Sequence, residues 1–316
     1  MPELPEVETV VRGLRRVLPG RRIVGVHLGK TDFMDDPIAL GEMLPGRRIL
    51  GVERLGKFIR IPLEAGGTAA NSTGPLNLIV HLGMTGRLGV LSPDDPVVPH
   101  THAFFHLDDG RHLRYTDIRR FGQILLLPDE RLAAFCGKLG EDPLEVTAEA
   151  FCRQFEGRSA RIKSLLLDQR ILRGVGNIYA DESLWRARIH PARLAGRLSQ
   201  EELLRLRQAL QRILRAAINE RGSSISNYLD AEGKPGGYQR WHRVYQRTGE
   251  NCARCGETIR RMIVGGRSSH FCPSCQPAPR GRSGGKGRAV TGKPVKRKPT
   301  ARKPISRKSV ARPRRG

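Results

Sequence analysis

The sequence predicts an α+β protein: an N-terminal helix packed on a β-sandwich, then a helical domain carrying a C-terminal cysteine hairpin. Three observations lead there. Short apolar runs separated by Gly, Pro and Asp turns fill residues 22–127. Helical periodicity takes over from about 130 to 220. Two Cys-x2-Cys pairs close the ordered pattern at Cys252, Cys255, Cys272 and Cys275. A chain of 316 residues is long enough for two domains, each with its own core.

In the opening stretch Val7, Val10, Val11, Leu14 and Leu18 recur near a 3.6-residue period and read as a helix. Pro2 falls at or just before the first turn, where a missing N–H is harmless. Glu3, Glu6 and Glu8 lie near the positive end of that helix's dipole. The expected strands are Ile23–Leu28, Ile49–Val52, Phe58–Leu63, Leu76–Leu82, Ala103–Leu107, Leu113–Tyr115 and Gln123–Leu127. The clearest amphipathic helix runs through Leu203, Leu206, Leu210, Ile213, Leu214 and Ala217. Ser199 is its expected N-cap, with Glu202 completing a capping box. Gly174 and Gly176 break two helical segments, and residues 222–248 read as a long polar loop. The expected domains are 1–130, 131–246, a zinc finger at 247–276 and a disordered basic tail at 277–316. No internal repeat builds the fold, although Lys-Pro recurs in the tail.

The net charge is +25; 15 Lys and Arg and no acid fall in 277–316, which leaves +10 for residues 1–276. Charge alone would also serve solubility or attraction to acidic membranes. A basic body with a separate basic tail favours phosphates, because each cation near a nucleic-acid backbone releases condensed counterions. No apolar run approaches the ~20 residues that span a bilayer. MPELPEVETV lacks the basic and apolar regions of a signal peptide, so a cytosolic location is expected.

In a reducing compartment the paired cysteines read as a zinc site rather than as disulfides. Four thiolates make a closed tetrahedral site with no position open for water, hence one structural ion on a short hairpin with Arg267 at its tip. Cys136 and Cys152 sit beside Phe135 and Phe151 and read as core cysteines.

Removal of Met1 would expose Pro2 as a secondary amine. An α-amino group titrates near ~7.7–8, against ~10.4 for lysine, so much of it is neutral and nucleophilic near physiological pH. Such an amine can attack a sugar C1′ and form a Schiff base, with Glu3 beside it to move protons. Taken alone, Pro2 and Glu3 read better as the start of a helix and a charge that complements its dipole.

Longer strings shift that balance. Met1-Pro-Glu-Leu-Pro-Glu-Val-Glu-Thr9 closely resembles the start of formamidopyrimidine-DNA glycosylases. In order, Leu55–Phe58, His81–Gly86, Tyr115–Gly122, Gly174–Glu182 and Gly266–Cys272 resemble the family's later blocks, over residues 2–276. The Gly174–Glu182 block looks like its helix–two-turn–helix core. The resemblance implies a bifunctional glycosylase/AP lyase removing oxidised purines. Pro2 would be the Schiff-base nucleophile, Glu3 the general acid/base and Glu6 its support. Lys57 would donate a proton in β-elimination, and Arg267 would bind flanking phosphates and assist δ-elimination.

Met84, Arg119 and Phe121 match the residues that fill the hole left by a flipped nucleotide. From the residues alone, Met84 and Phe121 suit a core equally. The family's usual proline is Ile118 here. Asn177, between Gly176 and the next helix, would bind phosphate, although it also suits a helix cap. His100 would contact DNA, and the family's upstream lysine contact falls near Ser159, with Lys163 close by. Ser223, Ser224, Ser226 and Tyr228 would line the loop over the extruded base. The implied partner is damaged double-stranded DNA, bound by a monomer in a bacterial cytoplasm near the nucleoid. Two rivals stand beside this reading: an endonuclease VIII-like enzyme for oxidised pyrimidines, and a catalytically silent zinc DNA-binding protein.

Overall fold

The computed structural model describes residues 1–66, 74–224 and 228–279. The expected tail from 280 onward and Ser226 lie outside them.

Helix α1 (Leu4–Arg15) lies where two cores meet. Its Leu4 joins the helical core with Leu172, Val175 and Tyr179. Val7, Val10, Val11 and Leu14, one face of the same helix, join the sandwich core. Leu18 is fully buried but lies past the helix, which ends at Arg15.

The sandwich is two antiparallel sheets. One has the order β1-β6-β7-β5, formed by β1 (Ile23–Leu28), β6 (Thr101–Leu107), β7 (His112–Thr116) and β5 (Arg87–Leu91). The other has the order β2-β3-β4-β8, formed by β2 (Glu53–Leu55), β3 (Phe58–Leu63), β4 (Leu76–His81) and β8 (Gln123–Pro128). In β3 every second residue, Ile59, Ile61 and Leu63, is buried, the period of a strand with one face on the core. Three local expectations are corrected. Ile49 makes only an isolated bridge to Leu63, and the strand there is β2, just beyond Ile49–Val52. Strand β5 escapes the sequence pattern, because its arginine and glycine break the apolar alternation. Helix α2 (Pro37–Met43) escapes it too; it has Asp36 as N-cap and is too short for a clear period.

Helix α3 (Asp129–Cys136) follows the last strand and packs back on the second sheet through Leu132 and Phe135, with Cys136 partly buried beside them. Helices α4 (Ala148–Phe155), α5 (Ile162–Leu167), α6 (Asn177–Ala187) and α7 (Gln200–Asn219) form the second core, and Cys152 packs against it. Ser199 caps α7 in the expected capping box. Leu206, Leu210 and Leu214 are fully buried on one face of α7, each worth roughly 1.5–3 kcal/mol of apolar transfer. No helix of the described residues is long and apolar enough to cross a membrane.

The expected polar loop after Gly222 is more ordered than its composition suggests. Ser223, Tyr228, Tyr238 and His242 are buried in it, and Tyr238–Trp241 forms a 3-10 turn. The hairpin β9 (Arg260–Val264) and β10 (Arg267–Phe271) ends the described chain. Gly265 and Gly266, both at positive φ, make its two-residue turn, the geometry that matches strand twist.

Candidate active site

A cavity of about 650 Å³ opens between the sandwich and the helical domain, lined by Pro2, Glu3, Lys57, Asn177 and Arg267 among others. Pro2 enters it from the start of the chain. Leu4 N–H donates to the Gly174 carbonyl at 3.0 Å, which ties this end to the glycine-rich turn.

The Glu3 carboxylate reaches beyond its own helix. It accepts the Ile178 and Tyr179 N–H groups at 2.9 and 3.4 Å, two unpaired donors of the first turn of α6. Glycine at 176 permits this approach: a Cβ there would lie 2.2 Å from the Glu3 carboxyl carbon. Burial raises the Glu3 pKa, opposed by Lys57 and by the two amides. A larger share of Glu3 is therefore protonated near neutral pH, as a proton donor requires.

Glu6 sits one turn on. Its carboxylate accepts from Glu3 N–H at 2.8 Å, Tyr179 Oη–H at 2.6 Å and Ser223 N–H at 2.6 Å. Burial, then the neighbouring Glu3, pushes its pKa up to about 7. Gly222 has φ +78°, and a Cβ there would come 2.7 Å from Glu6 Oε1. The Tyr228 hydroxyl donates to the Glu6 carbonyl at 3.1 Å. Glu6 thus joins α1, α6 and the loop after α7.

Lys57 follows Gly56 in the β2–β3 turn and is buried. Burial depresses its pKa, opposed by Glu3 and reinforced by Arg267, so its proton is held less tightly than an ordinary lysine's. His81, at the end of β4, shares the cavity. Its Nδ1 accepts the Gly83 N–H at 3.1 Å, which leaves the proton of the neutral ring on Nε2. Burial and Lys57 lower its pKa to about 4. The sequence motif contains His81 without marking a role for it. The available signal is an imidazole just before a glycine turn that also carries Met84.

Met84 and Phe121 line the cavity mouth and are not core, at 39% and 55% exposed, and the exposed Arg119 stands beside them outside the lining. Their loops meet at backbone distance, since a Cβ on Gly83 would lie 2.4 Å from the Phe121 carbonyl carbon. Arg119 stacks on Phe121 at 4.4 Å. The fully buried Asp117, unassigned from the sequence, holds this loop. It accepts the Gly122 N–H at 2.9 Å, the Arg119 N–H at 3.2 Å and the Thr85 and Tyr115 hydroxyls. His100, at φ +69°, is exposed outside the cavity, and its carbonyl accepts the Asp117 N–H at 3.0 Å.

Asn177 opens α6 at the cavity wall, and its Oδ1 is buried without a hydrogen-bond partner among the described residues. Ser159 is exposed between α4 and α5, away from the cavity. The expectation that Lys163 contacts DNA is corrected. Its side chain is fully buried, 2.6 Å from Asp181 Oδ1, and donates to Ser268 O at 2.6 Å and Ser269 Oγ at 2.8 Å. An ammonium group held in the interior by two hydrogen bonds and an ion pair presents nothing to a phosphate at the surface. Asp181 also accepts the His270 N–H at 2.9 Å and contacts His270 Nδ1 at 3.0 Å. This cluster and the packing of the Gly265 turn on Ser164 fasten the hairpin whose tip carries Arg267.

The four cysteine sulfurs lie within 4.8 Å of one another. Tetrahedral zinc with bonds of ~2.3 Å spaces thiolates by about 3.8 Å, and Cys255–Cys272 and Cys252–Cys275 measure 3.4 and 4.0 Å. Trp185 Nε1–H donates to Cys252 Sγ at 3.4 Å, a contact from α6 to the metal shell. Donor set and spacing fit one structural zinc ion held by Cys252, Cys255, Cys272 and Cys275.

Comparisons with known proteins agree with this layout. Residues 1–124 match the formamidopyrimidine-DNA glycosylase N-terminal domain, 139–228 the formamidopyrimidine-DNA glycosylase H2TH domain, and 249–278 a zinc finger found in FPG and IleRS. The chain is 44% identical to the formamidopyrimidine-DNA glycosylase of Pelotomaculum thermopropionicum, over 87% of this chain and 99% of that one. The corresponding protein of Solibacter usitatus is 47% identical over the same shares. Among solved structures, the MutM (Fpg) protein of Thermus thermophilus aligns with a TM-score of 0.75 at 41% identity, covering 87% of this chain and 98% of that one. A Lactococcus lactis Fpg complex with abasic-site DNA aligns with a TM-score of 0.77 at 34% identity, covering 87% and 100%. The chain belongs to the formamidopyrimidine-DNA glycosylase family, base-excision-repair enzymes that combine DNA glycosylase and AP lyase activity.

Proposed function

We propose that this chain excises oxidised purines from damaged duplex DNA through a Pro2 Schiff base and then cuts the strand by β,δ-elimination. The observation that carries this reading is the convergence of Pro2, Glu3, Lys57 and Arg267 on one cavity, with the Glu3 pKa raised and the Lys57 pKa lowered.

After removal of Met1, the Pro2 nitrogen attacks C1′ of the extruded nucleotide. The N-glycosidic bond breaks, and its electron pair leaves with the base, which takes up a proton. Protonated Glu3 delivers its proton to O4′ as the C1′–O4′ bond opens, which leaves an iminium between C1′ and the Pro2 nitrogen. Loss of a C2′ proton expels the 3′ phosphate, with Lys57 as proton donor. Loss of a further sugar proton expels the 5′ phosphate with help from Arg267, and hydrolysis of the imine frees Pro2. The product is a one-nucleotide gap with phosphates at both ends.

Met84, Arg119 and Phe121 fill the vacated stack, and Asn177, His100 and Ser159 contact the DNA backbone. The solved complexes of the Lactococcus lactis relative, one with a Fapy-dG DNA and one with abasic-site DNA, support damaged duplex as the partner. Action as a monomer in the bacterial cytoplasm is part of the same reading.

Borohydride trapping on a duplex with 8-oxoguanine opposite cytosine tests it, with dihydrothymine as comparison, since that relative is also known in complex with an oxidised-pyrimidine DNA. The expected result is a covalent adduct that is lost in Pro2→Gly and forms faster on 8-oxoguanine. No adduct on either duplex, with binding intact, would overturn the Schiff-base mechanism. A faster adduct on dihydrothymine would overturn the purine preference.

A further inference from the structure

A second cleft, of about 710 Å³, lies at the far end of α6. Nine residues of helix separate Arg186 from Asn177, about 13 Å at 1.5 Å per residue, and the two linings share no residue, although Glu182 of the cleft accepts the N–H of Tyr245 in the cavity wall. Its floor is apolar, made by Trp185, Ile213 and Tyr238, and the half-exposed Trp241 stands on its rim. Arg186, Arg243 and Arg254 border it, and none has a carboxylate partner among the described residues. The acids in the lining are already engaged. Glu182 is buried and accepts the backbone N–H groups of Arg243, Val244 and Tyr245, while Glu220 pairs with Arg240 at 2.9 Å. Arg254 stacks on Trp185 at 4.1 Å. Burial and the nearby positive charge of Arg212 lower the Arg186 pKa. Nothing in the proposed reaction uses this surface.

We propose that this cleft docks an acidic peptide segment of a partner protein, with one bulky apolar side chain seated on the Trp185 floor and carboxylates on the arginines. The arginines without carboxylate partners fix the sign of the ligand, since guanidinium groups take carboxylates in bidentate geometry. The concave apolar floor beside the Trp241 ring favours a peptide over duplex DNA, whose backbone is convex and stiff. An aromatic and arginine pairing of this kind is also the usual composition of an interface hot spot.

Trp185 and Trp241 are the two tryptophans of the chain, so in the zinc-loaded protein, where the Cys252 contact of Trp185 is fixed, tryptophan emission reports on this cleft. The test uses the full-length, zinc-loaded protein, titrated with acetyl-Asp-Asp-Glu-Asp-Phe, with acetyl-Lys-Lys-Arg-Lys-Phe and with an undamaged duplex. The acidic peptide is expected to change the emission saturably and the basic one not at all. Arg186→Glu should weaken acidic-peptide binding about tenfold or more while 8-oxoguanine excision stays unchanged. Any binding of the acidic peptide to the basic residues after 279 would survive Arg186→Glu and leave the emission untouched. Trp241→Ala, at an exposed position, provides a second variant and should weaken binding measured by calorimetry. Two results would overturn the proposal: no saturable change in emission or heat with the acidic peptide, or an emission change produced by duplex DNA together with weaker DNA binding in Arg186→Glu.

Discussion

Asp181→Asn isolates the charge that holds the hairpin. In the native protein Lys163 and Asp181 are both fully buried, 2.6 Å apart. Asparagine keeps the shape and one acceptor but removes the negative charge, so the Lys163 ammonium is left buried among neutral partners such as Ser268 O and Ser269 Oγ. Breaking a buried pair from one side costs about 3–5 kcal/mol. For a chain of this size that corresponds to a fall in Tm of roughly 6–20 °C. The pH dependence carries the sharper signature. Burial already lowers the Lys163 pKa, and Asp181 is the first group opposing that shift. Without the carboxylate, the folded-state pKa drops further below the unfolded value of ~10.4. The unfolded state then binds more protons, so the variant's stability rises with pH through the window between the two values. Urea unfolding of wild type and variant at about pH 7 and about pH 9 measures this. The stability gap should narrow at the higher pH, and Lys163→Met/Asp181→Leu should recover most of the loss. A gap that is constant with pH, or a double variant as unstable as Asp181→Asn, would refute the argument. Because the same contacts fasten the strand bearing Arg267, the single variant should also accumulate the β-elimination product over the δ product.

Four further outcomes are expected. Gly176→Ala drives a Cβ into the Glu3 carboxyl, to 2.2 Å from its carbon; single-turnover excision should fall by about 100-fold or more, and an unchanged rate would disprove the tight approach. Glu6 has its folded pKa raised to about 7 against ~4.3 unfolded, so its contribution to stability falls as pH rises through that window, by at most ~4 kcal/mol. A stability difference between wild type and Glu6→Gln that stays flat from about pH 5 to pH 8 would contradict that sign. Zinc removal by chelation should unfold the β9–β10 hairpin, red-shift the emission of Trp185 through its contact with Cys252 and abolish specific DNA binding; retained binding would show the metal to be dispensable. Gln246 sits at φ +60° on the cavity rim, a conformation that costs a non-glycine residue roughly 1–2 kcal/mol. Gln246→Gly should raise Tm by a few degrees, less the entropy that glycine adds to the unfolded chain, and a lower Tm would reveal a stabilising contact of the Gln246 side chain.

Much of this protein is legible in its sequence, because short-range rules govern those parts. Strands β1 and β3 follow from local apolar runs and turns, and Ser199 with Glu202 marks the start of α7 whatever surrounds it. The zinc site follows from cysteine spacing, since a hairpin need only bring two knuckles together. The motif strings point to the residues that meet in the cavity. The tertiary structure alone decided what those residues face. Glu3 reads locally as a charge for its own helix, yet it serves the amides of α6, some 175 positions away. Lys163 reads as a surface cation among arginines, yet packing against the hairpin strips its water and gives it Asp181 instead. Met84 and Phe121 read equally as core, and only the contact of two loops at Gly83 turns both outward. His81 and Asp117 gained their roles in the same way. Periodicity and spacing record which face of an element is apolar, but the partner of a polar group, and hence its pKa and its use, depends on contacts between residues far apart in the chain.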